Sequence, residues 1–327
     1  MKGEVPQPGG FEVARADIRI GRLESAEQHL STREAFYKTF FGQETSSSPE
    51  ELPASFFLPA PALGDISRAI QRSYTTGREH SQFIKWHPEK GFRASPVYKG
   101  GSESTSLWED RRLMLHEKID KKVLTPLGIS SRMVAVKHHT HPWGILPYSY
   151  EHGLFSQGDI RFALERSIPL NLVATHDGIL GLLKTERAMG LGSDPDHVLA
   201  TLQDKIKEGE ETPERLAQIQ AVSGLYFFPN ELYYQHDLDS MVSELQDIGF
   251  GLYHWKLPME HLRPPSPSED YEDCIDTREA FRENWMRFFA TNEAREMRTH
   301  GITMTKLVTQ PLEESSPAPE TRVFGQL

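Results

Sequence analysis

The chain has a single cysteine, Cys274, in 327 residues. No intramolecular disulfide can form, and a cysteine-type zinc site is excluded. Such scarcity fits a reducing compartment. A basic block is also missing: 36 Lys and Arg stand against 47 Asp and Glu, for a formal charge of −11. Gripping a phosphate backbone needs clustered cations, so no nucleic-acid partner is expected. Long hydrophobic runs are absent too. The most apolar stretch, 168–183, is interrupted by Asn171, His176 and Asp177 and cannot cross a bilayer as a helix. Residues 1–6 carry no apolar core of the kind a signal peptide needs, so none is expected. Together these absences predict a soluble, cytoplasmic protein with no membrane partner.

What is present supports a core. Hydrophobic residues make up 37% and charged residues 25%. Residues 1–11 and 43–62, rich in Pro, Gly, Ser and Glu, read as a flexible start and a linker, with a strand at 15–23 and a short helix at 32–41 between them. A helix is expected from Asp65 to Tyr74, with Asp65 as N-cap and Ile66, Ala69, Ile70 and Tyr74 on one face. Glu79–Trp86 reads as a strand, Pro88–Gly91 as a turn and Phe92–Tyr98 as an antiparallel return. Further strands are expected at 106–115 and 132–138, then a helix from Ser156 to about Ser167. Two strands, 171–175 and 179–184, flank the turn dipeptide Asp177-Gly178.

Later helices are expected near Asp194-Pro195, near Thr212-Pro213, at 241–245 and, strongly aromatic, at 277–298; 251–257 reads as a strand. The expected fold class is α+β, a mixed sheet flanked by helices. The expected division is an N-terminal segment and linker (1–62), a core domain (63–186), a helical extension (187–262), a linker and helix (263–312) and a disordered tail (313–327).

The chemistry concentrates in His139-Thr140-His141-Pro142, followed by Ser156-Gln157-Gly158-Asp159. Side chains alternate along a strand, so two histidines two apart point to one side. Pro142 stops the strand. Ser156 suits an N-cap, and Asp159 falls in the first helical turn. Taken alone, Ser156 and Asp159 describe only a capped helix with an acid at its positive end. Two imidazoles plus a carboxylate, in this ordered setting, form a ligand set for a divalent metal with a position left open.

This arrangement resembles the JAMM/MPN metalloprotease family over roughly residues 65–184. The resemblance implies an MPN/cytidine-deaminase-like sheet, bound Zn2+, and hydrolysis of a peptide or isopeptide bond, including one at the tail of a ubiquitin-like protein. It implies His139, His141 and Asp159 as zinc ligands, Ser156 as an oxyanion donor, and a glutamate on an earlier strand as general base. Glu79 fits that place, with Glu103, Glu109 and Glu117 as competitors. One departure stands out: thirteen residues, 143–155, separate Pro142 from Ser156, more than the family's spacing. The shorter spacing would put Ser149 and His152 in the places of the serine and the aspartate, so His152 stands as an alternative third ligand. Asp159 is preferred because Ile160, Ala163 and Leu164 supply an apolar helical face behind it. A catalytically silent MPN-type scaffold is the rival reading.

Overall fold

Strand β2 and the turn after it set the pattern of the molecule. His80–His87 is extended, Gly91 takes φ +62, and Gly91–Ala94 returns antiparallel. The computed structural model describes residues 33–42, 46–100, 133–142, 145–146, 155, 157–166, 168–191, 194–195, 197–198, 242–258, 260, 262–263, 266–267 and 275–307. Within them, the helices are α1 (33–41), α2 (Ala60–Leu63), α3 (Ile66–Thr76), α4 (Gln157–Glu165), α5 (Glu186–Leu191), α6 (242–247), α7 (Arg278–Phe289) and α8 (Asn292–Thr299). The strands are β1 (Ser55–Pro59), β2 (His80–His87), β3 (Gly91–Ala94), β4 (Tyr98–Lys99), β5 (Met133–Thr140), β6 (Ile145–Leu146), β7 (Leu170–Ala174), β8 (Gly178–Lys184), β9 (Phe250–Lys256), β10 (Ser266–Pro267), β11 (Ile275–Asp276) and β12 (Gly301–Lys306).

The fold is α+β. Nine strands form one mixed sheet in the order β1-β12-β9-β8-β7-β5-β2-β3, with β4 also on β2. Among the described strands, β5 and β7 alone run parallel, and α4 lies between them in the chain. Parallel neighbours need such a crossover. Ligands in open α/β sheets sit outside the carboxyl ends of parallel strands, which here is where β5 reaches His139 and His141.

Alternation sorts the core into two faces. Leu170, Leu172 and Ala174 of β7 join one cluster with α1, α3 and α7, through Phe36, Ile70 and Trp285. Val173 joins the other, with Ile160, Ala163 and Leu164 of α4 and with Leu180, Leu182 and Leu252. A bulge then decides the site. Ile84 pairs with Val136 but Lys85 pairs with Val134, leaving Ala135 extra. Met133 and Val136 therefore share the first cluster although they are three apart. Beyond the bulge, Lys137, His139 and His141 share the face that α4 covers.

Several expectations change. Residues 43–62 are not merely a linker: they hold a short 3-10 helix (Pro49–Glu51), β1 and α2. In β1, Phe56 and Leu58 point inward, and its position at the sheet edge tolerates the closing Pro59. The single helix expected at 277–298 is two, because Thr291 breaks it and caps α8 by accepting the Ala294 N–H at 3.3 Å. Strand β12 was not anticipated, though Ile302 and Met304 alternate inward. The expected boundaries at 62, 186 and 262 thus cut across one sheet. Asp65 makes no side-chain cap on α3; its carboxylate lies 3.7 Å from Arg68 instead. The Pro-rich stretch after Arg263 contributes β10, which pairs with β11, and β11 pairs with β6 just after Pro142. The segments expected at 1–11, 15–23, 106–115, around 212 and 313–327 lie outside the described residues.

Gly301 joins α8 to β12 at φ +124, and a Cβ there would lie 2.1 Å from the Leu58 carbonyl oxygen. Gly190, in α5, has nothing within 4 Å of such a Cβ. Gly301→Ala should therefore lower unfolding free energy by about 2–4 kcal/mol, and Gly190→Ala should raise it by about 0.5–1 kcal/mol. Urea titration checks both, and equal effects at the two positions would contradict the assignment.

Candidate metal centre

Every residue of β5 is buried. Polar side chains are buried on both faces and are partnered differently on each, although the Nδ1 atoms of His138, His139 and His141 have no hydrogen-bond partner. On the α3 face, the His138 Nε2–H donates to Gln82 Oε1 at 2.9 Å, and that oxygen also accepts the Asp65 N–H at 2.7 Å. His138 is thus a structural residue with its proton on Nε2. Thr140, between the two site histidines, accepts the His80 N–H at 2.9 Å and hydrogen-bonds Ser73 of α3. These bonds pin the strand end that carries His139 and His141.

On the opposite face the rings converge. His139 Nε2 and His141 Nε2 lie 3.0 Å apart. Asp159 Oδ1 is 2.9 Å from His139 Nε2, and Oδ2 is 3.3 Å from His141 Nε2. Glu79, one residue before β2, has Oε1 4.0 Å from His141 Nε2. It was expected to open the strand, which begins instead at His80. Lys137 Nζ stands 3.9 Å from Asp159 Oδ1.

Helix α4 brings Asp159 to this place. Its apolar residues pack into the second core cluster, and its last turn is held by Lys184 of β8. The Lys184 ammonium donates to the carbonyls of Ala163 (2.7 Å), Leu164 (2.8 Å) and Arg166 (3.1 Å). A cation there satisfies orphan carbonyls at the negative end of the helix. Burial pushes Lys184 down to about 8. Helix α7 fastens the neighbouring β7–β8 turn: Trp285 Nε1–H donates to the Thr175 carbonyl at 2.7 Å, and Asn284 Nδ2–H to that of His176 at 2.8 Å.

The electrostatics follow from burial against one carboxylate. Burial pushes His139 down to about 4, although Asp159 opposes it. Burial also acts to lower His141, but the hydrogen bond and charge of Asp159 and the charge of Glu79 outweigh it and raise this group. Burial alone would raise Asp159; the two imidazoles hold it well below the usual carboxylate range.

The donor set fits a metal ion. The ligand atoms of His139, His141 and Asp159 all lie within 4.8 Å of one another. Tetrahedral bonds of about 2.0–2.1 Å separate ligand atoms by about 3.3–3.4 Å; the His141–Asp159 spacing of 3.3 Å matches this, and the other two, 2.9 and 3.0 Å, fall a few tenths of an ångström short. Hydrogen bonds alone serve the cluster poorly: two N–H groups would clash across 3.0 Å, so one Nε2 must be bare. A buried group of this kind can hold a metal ion. Ser156 and the alternative ligand His152 lie outside the described residues, as do Glu103, Glu109 and Glu117.

No protein-family model, curated protein or solved structure matches this chain. Sequence reading had passed over Lys137, although its spacing from His139 puts it on the same strand face. Ser73, Gln82 and His80 were also missed, and they come together only through long-range pairing.

Acid should destabilise the metal-free chain. Burial depresses His138 to about 3 and His139 to about 4. Unfolded histidine titrates near 6.5, so between pH 6.5 and 4 the unfolded state binds protons that the folded state refuses. The raised His141 acts the other way: its stability is complete below its unfolded pKa and lost as pH rises through its folded value, so it offsets part of the loss between pH 8 and 6.5 and adds no slope below that. At pH 5 the two depressed groups should remove on the order of 4 kcal/mol relative to pH 8. Urea midpoints of chelator-treated protein at the two pH values check this; equal midpoints would refute it.

Proposed function

We propose that the chain is a zinc-dependent hydrolase of the JAMM/MPN type, cleaving a peptide or isopeptide bond. The convergence of His139, His141 and Asp159, with Glu79 beside His141, carries this reading. The order of elements supports it: helix α3, then Glu79, then β5 with His139 near its end and His141 just beyond, then α4 with Asp159 in its first turn. His139 and His141 would hold the ion through Nε2, and Asp159 through a carboxylate oxygen. Zinc bound there supplies a Lewis acid and lowers the pKa of a water ligand to about 7.

The chain's own groups divide the remaining work. Glu79 accepts the proton of the attacking water and delivers it to the leaving amine. Ser156 is assigned the role of hydrogen-bond donor to the oxyanion of the tetrahedral intermediate. The buried strand and helix hold the ligands rigid, which avoids reorganisation during reaction. Residues 143–155 follow Pro142 in the chain, and we assign them a role in substrate selection. Substrates would be proteins or peptides, including the tail of a ubiquitin-like protein. No helix among the described residues is long and apolar enough to cross a membrane.

A panel of quenched peptides and isopeptide-linked ubiquitin-like fusions tests the proposal. Cleavage that a chelator abolishes and zinc restores is expected. Stoichiometric zinc without cleavage of any member would favour the catalytically silent MPN-type scaffold.

A further inference from the structure

Lys137 is buried beside the three ligands, and the proposed reaction does not use it. Its side chain is 4% exposed, its Nζ is 3.9 Å from Asp159 Oδ1, and the same atom lies 3.9 Å from the centre of the Phe162 ring. Asp159 and Phe162 are three apart on α4, so one helical face offers a carboxylate and an aromatic face to the same ammonium. Strand alternation aims Lys137 to the side of His139 and His141. Lysine is rarely buried without a partner. Here the partner is a carboxylate that the metal site also needs, at a distance longer than a hydrogen bond.

We infer that Lys137 is a positioning residue that sets the charge of the metal centre. It steadies Asp159 and keeps a bound cation electrophilic while weakening its affinity. The inference rests on the reading that His139, His141 and Asp159 hold a divalent ion. With such an ion, two neutral imidazoles and one carboxylate, the cluster carries one net positive charge. Glu79 cancels it, and Lys137 restores it. A site that stays net positive favours the negative charge that develops on a carbonyl oxygen during amide cleavage. The same ammonium repels the ion across a few ångströms of low-dielectric protein. A merely structural lysine predicts the opposite on removal, because a loosened site binds metal less well.

Zinc dissociation constants of wild type, Lys137→Met and Lys137→Arg, measured by competition with a chromophoric chelator, test this. Lys137→Met should bind zinc at least about tenfold more tightly than wild type, and Lys137→Arg within about threefold of it. Lys137→Gln serves as a second neutral variant, with thermal unfolding of the chelated proteins confirming that each is folded. Unchanged or weaker zinc binding by the folded neutral variants would overturn the inference alone. Failure of wild type to bind zinc would overturn it together with the metal reading beneath it.

Discussion

Replacing Glu79 by glutamine should leave zinc bound at one per chain and cut turnover by roughly a hundred- to ten-thousandfold. Glutamine keeps the size and one carbonyl oxygen of glutamate but cannot accept and return a proton near neutral pH. Glu79 Oε1 is 4.0 Å from His141 Nε2, farther than the 2.9–3.3 Å spacings within the His139, His141 and Asp159 cluster, and near enough to reach a water beside it. Loss at the chemical step alone should lower kcat and leave KM nearly unchanged, corresponding to about 3–5 kcal/mol of transition-state stabilisation. Full activity in a zinc-loaded Glu79→Gln protein would remove Glu79 as the base. An equal loss of zinc would make it a ligand instead.

The second large effect concerns the ligands. His141→Ala and Asp159→Ala should each weaken zinc binding by more than about a hundredfold, beyond what outer-shell substitutions cost. Each removes one of three protein donors from a buried site. The changes should also separate in stability. His141→Ala leaves the Asp159 carboxylate with fewer partners, so the metal-free variant should lose about 1–3 kcal/mol. Asp159→Ala leaves the buried Lys137 ammonium without its carboxylate as well as the two rings without theirs, and should cost more. His152→Ala should leave zinc affinity unchanged, because Asp159 already faces both imidazoles. Zinc competition and urea titration of the three variants read both quantities. Tight zinc binding by Asp159→Ala together with loss in His152→Ala would reverse the choice of third ligand.

Much of the site was legible because it rests on local periodicity. Two histidines two apart at the end of an apolar run must share a strand face, and Asp159 opens a helix whose Ile160, Ala163 and Leu164 face the core. The bulge at Ala135 was not legible. It depends on how β2 pairs with β5, and it decides which sheet face the whole run from Lys137 to His141 presents to α4. The break before α8 was hidden by an apolar pattern that runs on through Phe288 and Phe289, although Thr291 is a good capping residue. Strand β1 was hidden by Pro59 at its end and by Pro53 and Pro61 beside it, which suit a loop and an edge strand equally well. Its partner β12 comes from the far end of the chain, so neither strand had a local signal of pairing.

The central claim is that two histidines and one aspartate hold a divalent ion. A zinc K-edge absorption spectrum of the loaded chain tests it most directly, since imidazole rings leave a distinct multiple-scattering signature. The predicted result is one zinc per chain with two imidazoles and oxygen donors, at about 2.0–2.1 Å. A spectrum requiring three imidazoles, or a chain that retains no zinc after dialysis, would contradict it.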